Sequence, residues 1–481
     1  MRKQLILLLT IAMVFTLSAC KETETIVEIP DHIDYLDVYY LNDFHGAIEK
    51  KDDYLGAAYI ANLLKTKKEE NPYNTVILSG GDMLQGSALS NYYNGLSTID
   101  LMDDMGFDAM ALGNHEFDWG LDTVTKFFDG NEENGEADFP LLSINTFYKG
   151  TENIPEGIDP YVVIERADIK IGIIGMTGST LESSIATNKI EDYEFANPSS
   201  YILETTKYLR ENEAVDLVFL LSHDSGSDNS SYENLTDEYK IDAIFNAHSH
   251  AVEKTTNNGT IAIQAGSNGK YVGHIRFTFD NGTVSETSVE HLSDYNEALL
   301  LAKDSETNDL IEEYLLETEH LFNEVLLVSN DSYSKGELSN WIAEVMAKAT
   351  NSVAGFQNYG GTRATVGNAV AITPGILYDI WPFDNYIYTS EIKGSELKAL
   401  IESGYYNYYA DDITFDDDAY YKVATNDYIY TKTNSVFSNG INEENTGLLM
   451  RDIAYDELKL QKLIYDTFDI LNDILIKNIE G

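Results

Sequence analysis

The chain has 481 residues, 43% of them hydrophobic and 11% aromatic, enough for two domains or one large one with a real core. Acidic residues outnumber basic ones 81 to 31, a formal net charge of −50 that argues against nucleic-acid binding, since phosphate backbones attract Lys and Arg. The lone cysteine, Cys20, excludes an intramolecular disulfide.

Arg2 and Lys3 form a charged head, Leu5 to Phe15 is nearly continuous apolar sequence, and Leu17-Ser18-Ala19-Cys20 follows. The apolar run is too short to span a bilayer as a mature helix and reads as an export signal over residues 1–20. Its end resembles a bacterial lipoprotein processing site with Cys20 as the lipidated first residue. The expectation is an exported protein on the outer face of the bacterial cell membrane, held only by a lipid anchor on Cys20. The polar residues 21–31 would be its tether.

Residues 32–294 alternate short β-branched apolar runs with amphipathic stretches. Strands are predicted at Tyr35–Leu41, Thr75–Ser79, Ala109–Leu112, Pro140–Ile144, Ile169–Met176, Leu217–Leu221, Ala243–Phe245, Ile261–Gln264 and His274–Phe279. Helices are predicted at Leu55–Glu69, Thr98–Met105, Asp122–Phe128 and Ser199–Glu211. That alternation predicts an α/β layered domain. A charged, Leu-rich segment, 295–324, reads as a connecting helix, and a second unit follows over 325–481. Within it, 405–421 is dense in Tyr and Asp and is expected to be an exposed excursion.

Five motifs each follow a predicted strand: Asp43-Phe44-His45, Gly81-Asp82, Gly113-Asn114-His115-Glu116, Ser222-His223-Asp224 and His248-Ser249-His250. Five of the nine histidines fall inside them. In α/β folds the loops at the carboxyl ends of strands converge, so this placement predicts one site rather than five. A cysteine-free set of Asp, Asn and His suits two catalytic divalent ions, Zn, Mn, Fe or Co, better than a structural zinc. Two close cations need an anionic bridge, and Asp82 is the natural candidate. Asp43 and His45 can point at one ion, Asn114 offers a neutral carbonyl oxygen, and His223, His248 and His250 supply imidazoles. Paired ions of this kind share a water that becomes a hydroxide nucleophile near neutral pH. His115 is not needed as a ligand. Held by Asp118, it can stabilise transition-state charge or protonate the leaving oxygen. His32, His274, His291 and His320 lack such context and read as surface or packing residues.

In this order the motifs, with Asn42-Asp43-Phe44-His45-Gly46 and Gly113–Asp118, resemble the calcineurin-like metallophosphoesterases, and more narrowly the bacterial 5′-nucleotidase and UDP-sugar hydrolase branch. The resemblance implies a four-layer α/β/β/α metal domain followed by a smaller α/β substrate-specificity domain. It implies Asp43, His45, Asp82 and His250 around one metal, Asp82, Asn114, His223 and His248 around the other, and His115 with Asp118 as the catalytic dyad. Further along, Asn358-Tyr359-Gly360-Gly361-Thr362-Arg363 resembles the family's phosphate-binding loop, where a planar guanidinium suits phosphate. Pro382-Phe383-Asp384-Asn385 resembles the element whose Phe stacks on the base, and Tyr428 aligns with the second aromatic of that clamp. Two departures stand out. Arg363 is the only arginine between Val325 and Phe437, and the usual glycine-rich loop is replaced by Thr431-Lys432-Thr433-Asn434-Ser435. Asn434 is the candidate to meet a ribose hydroxyl there, and Lys432 to stand in for an arginine.

The expected activity is hydrolysis of nucleoside 5′-monophosphates, a small phosphoester being the partner. The alternatives keep the metal site and change the substrate to a 2′,3′-cyclic phosphodiester, a nucleotide sugar or a non-nucleotide ester. A binding lipoprotein without turnover is the remaining class.

Overall fold

The computed structural model describes residues 32–477 except 52, 225–228, 411–412 and 433–434. The expected export signal, the tether with Cys20, and Asn434 therefore lie outside the described residues.

Two six-stranded sheets form the first domain. In the first, Tyr35–Leu41, Thr75–Ser79, Ala109–Ala111 and Leu141–Leu142 run parallel, and Val272–Asp280 and Thr283–Leu292 extend the sheet antiparallel beyond Tyr35–Leu41. In the second, Ile169–Thr177, Leu217–His223, Ala243–Asn246 and Thr260–Ala265 run parallel, flanked by the antiparallel edges Tyr161–Arg166 and Val252–Asn257. Parallel strands are buried on both faces, so their sequences are runs of Val, Ile, Leu and Phe rather than alternations. Val38, Leu78, Phe219, Phe245 and Phe277 from the two sheets meet in one buried layer. Helices cover the outer faces: Ala57–Glu70 and Leu96–Met105 on the first sheet, Ser199–Tyr208 on the second. The result is the expected helix–sheet–sheet–helix stacking.

The core strands match their predicted positions to within one or two residues. The edges were not foreseen, for a physical reason: all six residues of Val252–Asn257 are exposed, so no buried face imposes a pattern. The predicted connecting helix begins late, spanning Ser305–Phe322, because Asp304 caps it by accepting the Thr307 N–H at 2.9 Å. It packs on the first domain rather than crossing open space, with Lys65 bound to Asp304 at 3.0 Å and Tyr93 to Glu317 at 2.8 Å.

The second domain has a five-stranded sheet in the order Tyr406–Tyr409, Ala354–Gln357, Tyr420–Asn426, Tyr386–Lys393 and Ile441–Leu449. Lys335–Ala349 and Met450–Gln461 pack around a core holding Ile387, Trp341 and Trp381. Gly394–Ile401 packs with Ile392, Val423 and Phe356 in a second cluster. The expected excursion over 405–421 is corrected here. Tyr406–Tyr409 pairs as an edge strand with Ala354–Gln357, and Phe415 is buried. Tyrosine favours a half-buried pleated surface, which the density of polar residues concealed. Among the described residues no helix is long and apolar enough to cross a membrane.

Burial at the end of the Leu96–Met105 helix pushes Asp103 up to about 7 from 3.8, with Asp138, Asp100 and Glu136 adding to it, although the Asp138 N–H opposes the rise. The folded value lies above the unfolded one, so the cost of ionising Asp103 is absent below about pH 4 and complete above about pH 7. Asp103→Asn should therefore stabilise the protein at pH 8 by about 1–2 kcal/mol after solvent screening, and by little at pH 4. Urea unfolding at both pH values checks this, and equal gains at the two would refute it.

Candidate active site

All five motifs reach one place. Asp43, Asp82, Asn114 and His248 leave the ends of the Tyr35–Leu41, Thr75–Ser79, Ala109–Ala111 and Ala243–Asn246 strands, while His223 is the last residue of its own strand. Five residues of the motifs hold left-handed backbones: Asp43 (φ 49°), His45 (51°), Asp82 (52°), His248 (66°) and His250 (57°). Such conformations cost non-glycine residues energy and persist only where the surroundings dictate them. The bonds that dictate them are visible. Both Asp43 carboxylate oxygens accept the His248 N–H, at 3.1 and 3.0 Å. Asn42 links the Asp43 loop to the second sheet, accepting the Ala265 N–H at 2.9 Å and donating to the Gly266 carbonyl at 2.7 Å. Ser249 donates to Gln264 at 2.8 Å and fixes the loop between the two histidines.

Glu116 makes the largest contribution that the motifs alone did not reveal. Fully buried, it accepts N–H groups from Asp82 (2.9 Å), Met83 (3.0 Å) and Gly113 (2.9 Å), clamping two of the loops together. Burial pushes its carboxyl up to about 7, with the Asp82 charge adding to the rise and His223 and the donated hydrogen bonds opposing it.

The side chains gather in two groups whose donor atoms converge: Asp43, His45 and His250, and Asp82, His223 and His248. His45 turns Nδ1 to the Gln85 carbonyl at 3.1 Å, and His223 turns Nδ1 to the Gly80 carbonyl at 2.7 Å. Each imidazole is thereby oriented with Nε2 inward, the usual arrangement for a metal-binding histidine. Nε2 of His45 faces Nε2 of His250 at 3.2 Å, and the Asn114 carbonyl oxygen lies 3.2 Å from His223 Nε2 and 2.9 Å from His248 Nδ1. Two imidazole nitrogens brought face to face beside buried carboxylates form a donor set that fits divalent cations. Burial opposes charge on Asp82, but His223 and His115 outweigh it and hold the carboxyl well below the ordinary range. Burial likewise opposes charge on His223, and Asp82 overrides it, pushing the imidazole up to about 10.

His115 stands beside these groups. Its Nδ1 lies 2.8 Å from Asp118, and its ring stacks on Phe383 of the second domain, centroids 5.5 Å apart at 19°. Arg363 lies over the same Phe383 ring at 5.5 Å. A cavity of about 390 Å³ opens between the domains, and its wall includes His115, His250, Arg363, Phe383, Asn385 and Tyr428. Asn358 also borders it, whereas Gly361 is buried against the Gln357 and Asn358 side chains and Gly360 takes its place at the surface. The second domain is seated by the first: Gln85 and Asn91 donate to the Pro382 carbonyl at 3.0 and 2.6 Å. From behind, Arg451 donates to the Trp381 carbonyl at 3.0 Å and pairs with Asp384. No motif flagged Gln85, Asn91 or Arg451, because each acts through a backbone carbonyl that sequence cannot place. His274, expected to be an ordinary packing residue, is almost fully buried between Asp37 and Glu290, remote in sequence and in contacts from the site.

Residues 36–252 match the family model for calcineurin-like phosphoesterases, and residues 317–415 match that for the 5′-nucleotidase C-terminal domain. Residues 36–252 thus form a domain of the calcineurin-like phosphoesterases, a class of metal-dependent hydrolases of phosphoric esters, and a 5′-nucleotidase C-terminal domain follows it. It is 28% identical over 405 residues to endonuclease YhcR of Bacillus subtilis (strain 168), a match covering 76% of this chain and 32% of that protein. It is 29% identical over 288 residues to a 5′-nucleotidase of Vibrio parahaemolyticus, covering 53% of this chain and 50% of the relative. This chain thus spans about half or less of either relative. Among solved structures, a 5′-nucleotidase precursor from Thermus thermophilus shares the fold with a TM-score of 0.76 at 22% identity, covering 89% of this chain and 97% of that one.

Removing the Glu116 clamp should be costly. Glu116→Ala leaves three buried N–H groups without an acceptor, each worth about 1–3 kcal/mol. The variant is expected to lose about 3 kcal/mol or more in urea unfolding and to bind Mn or Zn at least tenfold more weakly. Unchanged metal affinity in a folded Glu116→Ala protein would refute the clamp.

Proposed function

We propose that the protein is a two-metal phosphomonoesterase acting on nucleoside 5′-monophosphates at the cell surface, anchored there through Cys20. One observation carries this reading: a single cavity is bounded on one side by the candidate metal ligands and His115, and on the other by Arg363, Phe383, Asn385 and Tyr428. Residues 32–294 would form the catalytic domain and 325–481 the specificity domain.

Asp43, His45, Asp82, Asn114, His223, His248 and His250 would hold two divalent cations. When bound, the pair supplies Lewis acidity to a phosphoryl oxygen and lowers the pKa of water at the site. The remaining work falls to the chain's own groups. Arg363 offers a planar fork of N–H donors to the phosphate, close to His115. His115, its Nδ1 held by Asp118, presents Nε2 towards the ester and can hand a proton to the departing oxygen. Burial opposes its protonation, but Asp118 and Asp82 outweigh it and hold the imidazole above its ordinary value. Tyr428 and Phe383 offer aromatic faces to a base, and the cavity volume fits a nucleotide-sized ligand.

A second reading, a phosphoester without a base, is favoured by one contact. Phe383 already stacks on His115 and lies beneath Arg363, so a base reaches it only if these neighbours shift.

His115→Ala should lower kcat by ~10²–10⁴-fold with metal content and folding intact. Phosphate release from AMP, UMP, a 2′,3′-cyclic nucleotide, a UDP-sugar, a sugar phosphate and p-nitrophenyl phosphate decides the substrate, with a coupled phosphatase where the first product is an ester. Preference for the 5′-monophosphates supports the first reading, and activity confined to the sugar and generic esters supports the second. Full activity in His115→Ala would overturn the catalytic assignment.

A further inference from the structure

The cavity treats its acids and its bases differently. Every carboxylate on its wall is answered from within the chain. Asp82 meets His223 at 3.2 Å, Asp118 meets His115 at 2.8 Å, and Asp384 pairs with Arg451. Asp427, almost fully buried, accepts from the Asn385 amide at 2.8 Å and from the Tyr428 N–H at 2.9 Å. The cations on the wall are Arg363 and Lys189; neither makes a direct ion pair among the described residues, although the Lys189 charge is felt at the Asp427 carboxylate. Lys432, next to Tyr428 of the wall, donates to the Tyr428 hydroxyl at 2.8 Å and to the Ser183 carbonyl, and it makes no ion pair among the described residues. In a chain with 81 acidic residues for 31 basic ones, carboxylate partners are abundant. Cations that make no direct ion pair around one cavity are the electrostatic footprint of an anionic ligand.

These cations sit at two ends. Arg363 lies over Phe383, which stacks on His115, so it belongs to the reacting end. Lys189 comes from the other domain. It closes the short turn Thr187–Lys189 in the loop that also brings Ser184 and Ala186 to the wall. That loop meets the second domain where the Tyr428 hydroxyl and Lys432 reach the Ser183 carbonyl. Lys432 lies 4.0 Å from the Tyr428 ring centroid, so its ammonium stands behind the Tyr428 part of a wall to which Lys189 also contributes. An ammonium is a compact point charge that suits a phosphate dianion without demanding a fixed orientation.

We propose that Lys189, with Lys432 beside it, forms a second anion subsite, and that the substrate carries a second phosphate group in addition to the one removed. This rests on the phosphoesterase reading above and adds to it the class of ester: a bisphosphorylated small molecule. The subsite joins the catalytic domain's loop to the specificity domain's aromatic, so it is complete only when both domains face the ligand.

The test uses pairs of substrates that differ by one phosphate: AMP with adenosine 3′,5′-bisphosphate, and glucose 6-phosphate with glucose 1,6-bisphosphate. Metal-loaded protein should prefer the bisphosphate of at least one pair tenfold or more in kcat/KM. That preference should shrink as salt is raised, because half-buried charges are partly screened. Lys189→Gln should reduce the preference ratio at least tenfold, and Lys189→Arg should keep most of it. No preference in the wild type overturns the subsite. So does a Lys189→Gln variant that lowers both members of a pair equally, the signature of a structural role. Inactivity on every substrate, p-nitrophenyl phosphate included, overturns the phosphoesterase reading instead. The subsite is then judged by calorimetry of the same pairs on metal-loaded His115→Ala protein, where equal affinity for mono- and bisphosphate refutes it.

Discussion

The site depends on a buried carboxylate that touches no ligand. Glu116 accepts N–H groups from the Asp82 and Gly113 loops and so fixes the two strand ends that carry Asp82 and Asn114. A carboxyl group buried this deeply is tolerable only because several donors converge on it, and the same convergence makes the loops rigid. The adjacent residue exploits that rigidity: the His115 N–H donates to Asp82 at 2.7 Å, so dyad and candidate metal bridge are set by one turn of chain. Asn42 does the equivalent task for Asp43, connecting it to the far sheet at Ala265 and Gly266.

Those anchors explain why left-handed backbones collect here. Asp43, Asp82 and His248 each adopt a strained conformation in the first residues after a strand, where the chain must turn sharply to aim its side chain at the sheet edge. Parallel strands make this possible, since several carboxyl ends lie side by side at one edge. The sandwich of two sheets then doubles the supply: Asp43, Asp82 and Asn114 come from one sheet, His223, His248 and His250 from the other. Cross-sheet bonds hold the halves together, among them the Tyr40 hydroxyl on the Asn246 carbonyl at 2.7 Å.

The second domain completes the cavity through contacts of a different kind. Its Pro382 carbonyl is received by two amide side chains of the first domain, and Phe383 then arrives against His115. The charge pattern fits this division. The surface is strongly acidic, while Arg363 and Lys189, which make no direct ion pair among the described residues, face the gap between domains, so an anion entering there leaves a repulsive exterior for an attractive interior. An acidic exterior also keeps such a protein dispersed in solution.

Sequence alone determined the parallel strands, because burial on both faces forces unbroken apolar runs such as Leu217–Leu221. It also located Asp43, Asp82, Asn114, His115, His223, His248 and His250, because residues that meet at a strand edge must each follow a strand within a few positions. Gly361 shows the limit: the motif drew attention to it, yet its neighbour Gly360 faces the cavity. Edge strands such as Val252–Asn257 were silent, since a strand exposed on every side has no burial pattern to display. Tertiary structure alone decided what holds the site. Glu116, Gln85, Gln264 and Arg451 act on partners near and far along the chain, Gln85 on Pro382 among them, through backbone groups or, for Gln264, through the Ser249 hydroxyl. A sequence records which groups a residue carries, but only the fold determines which other groups are near enough to answer them.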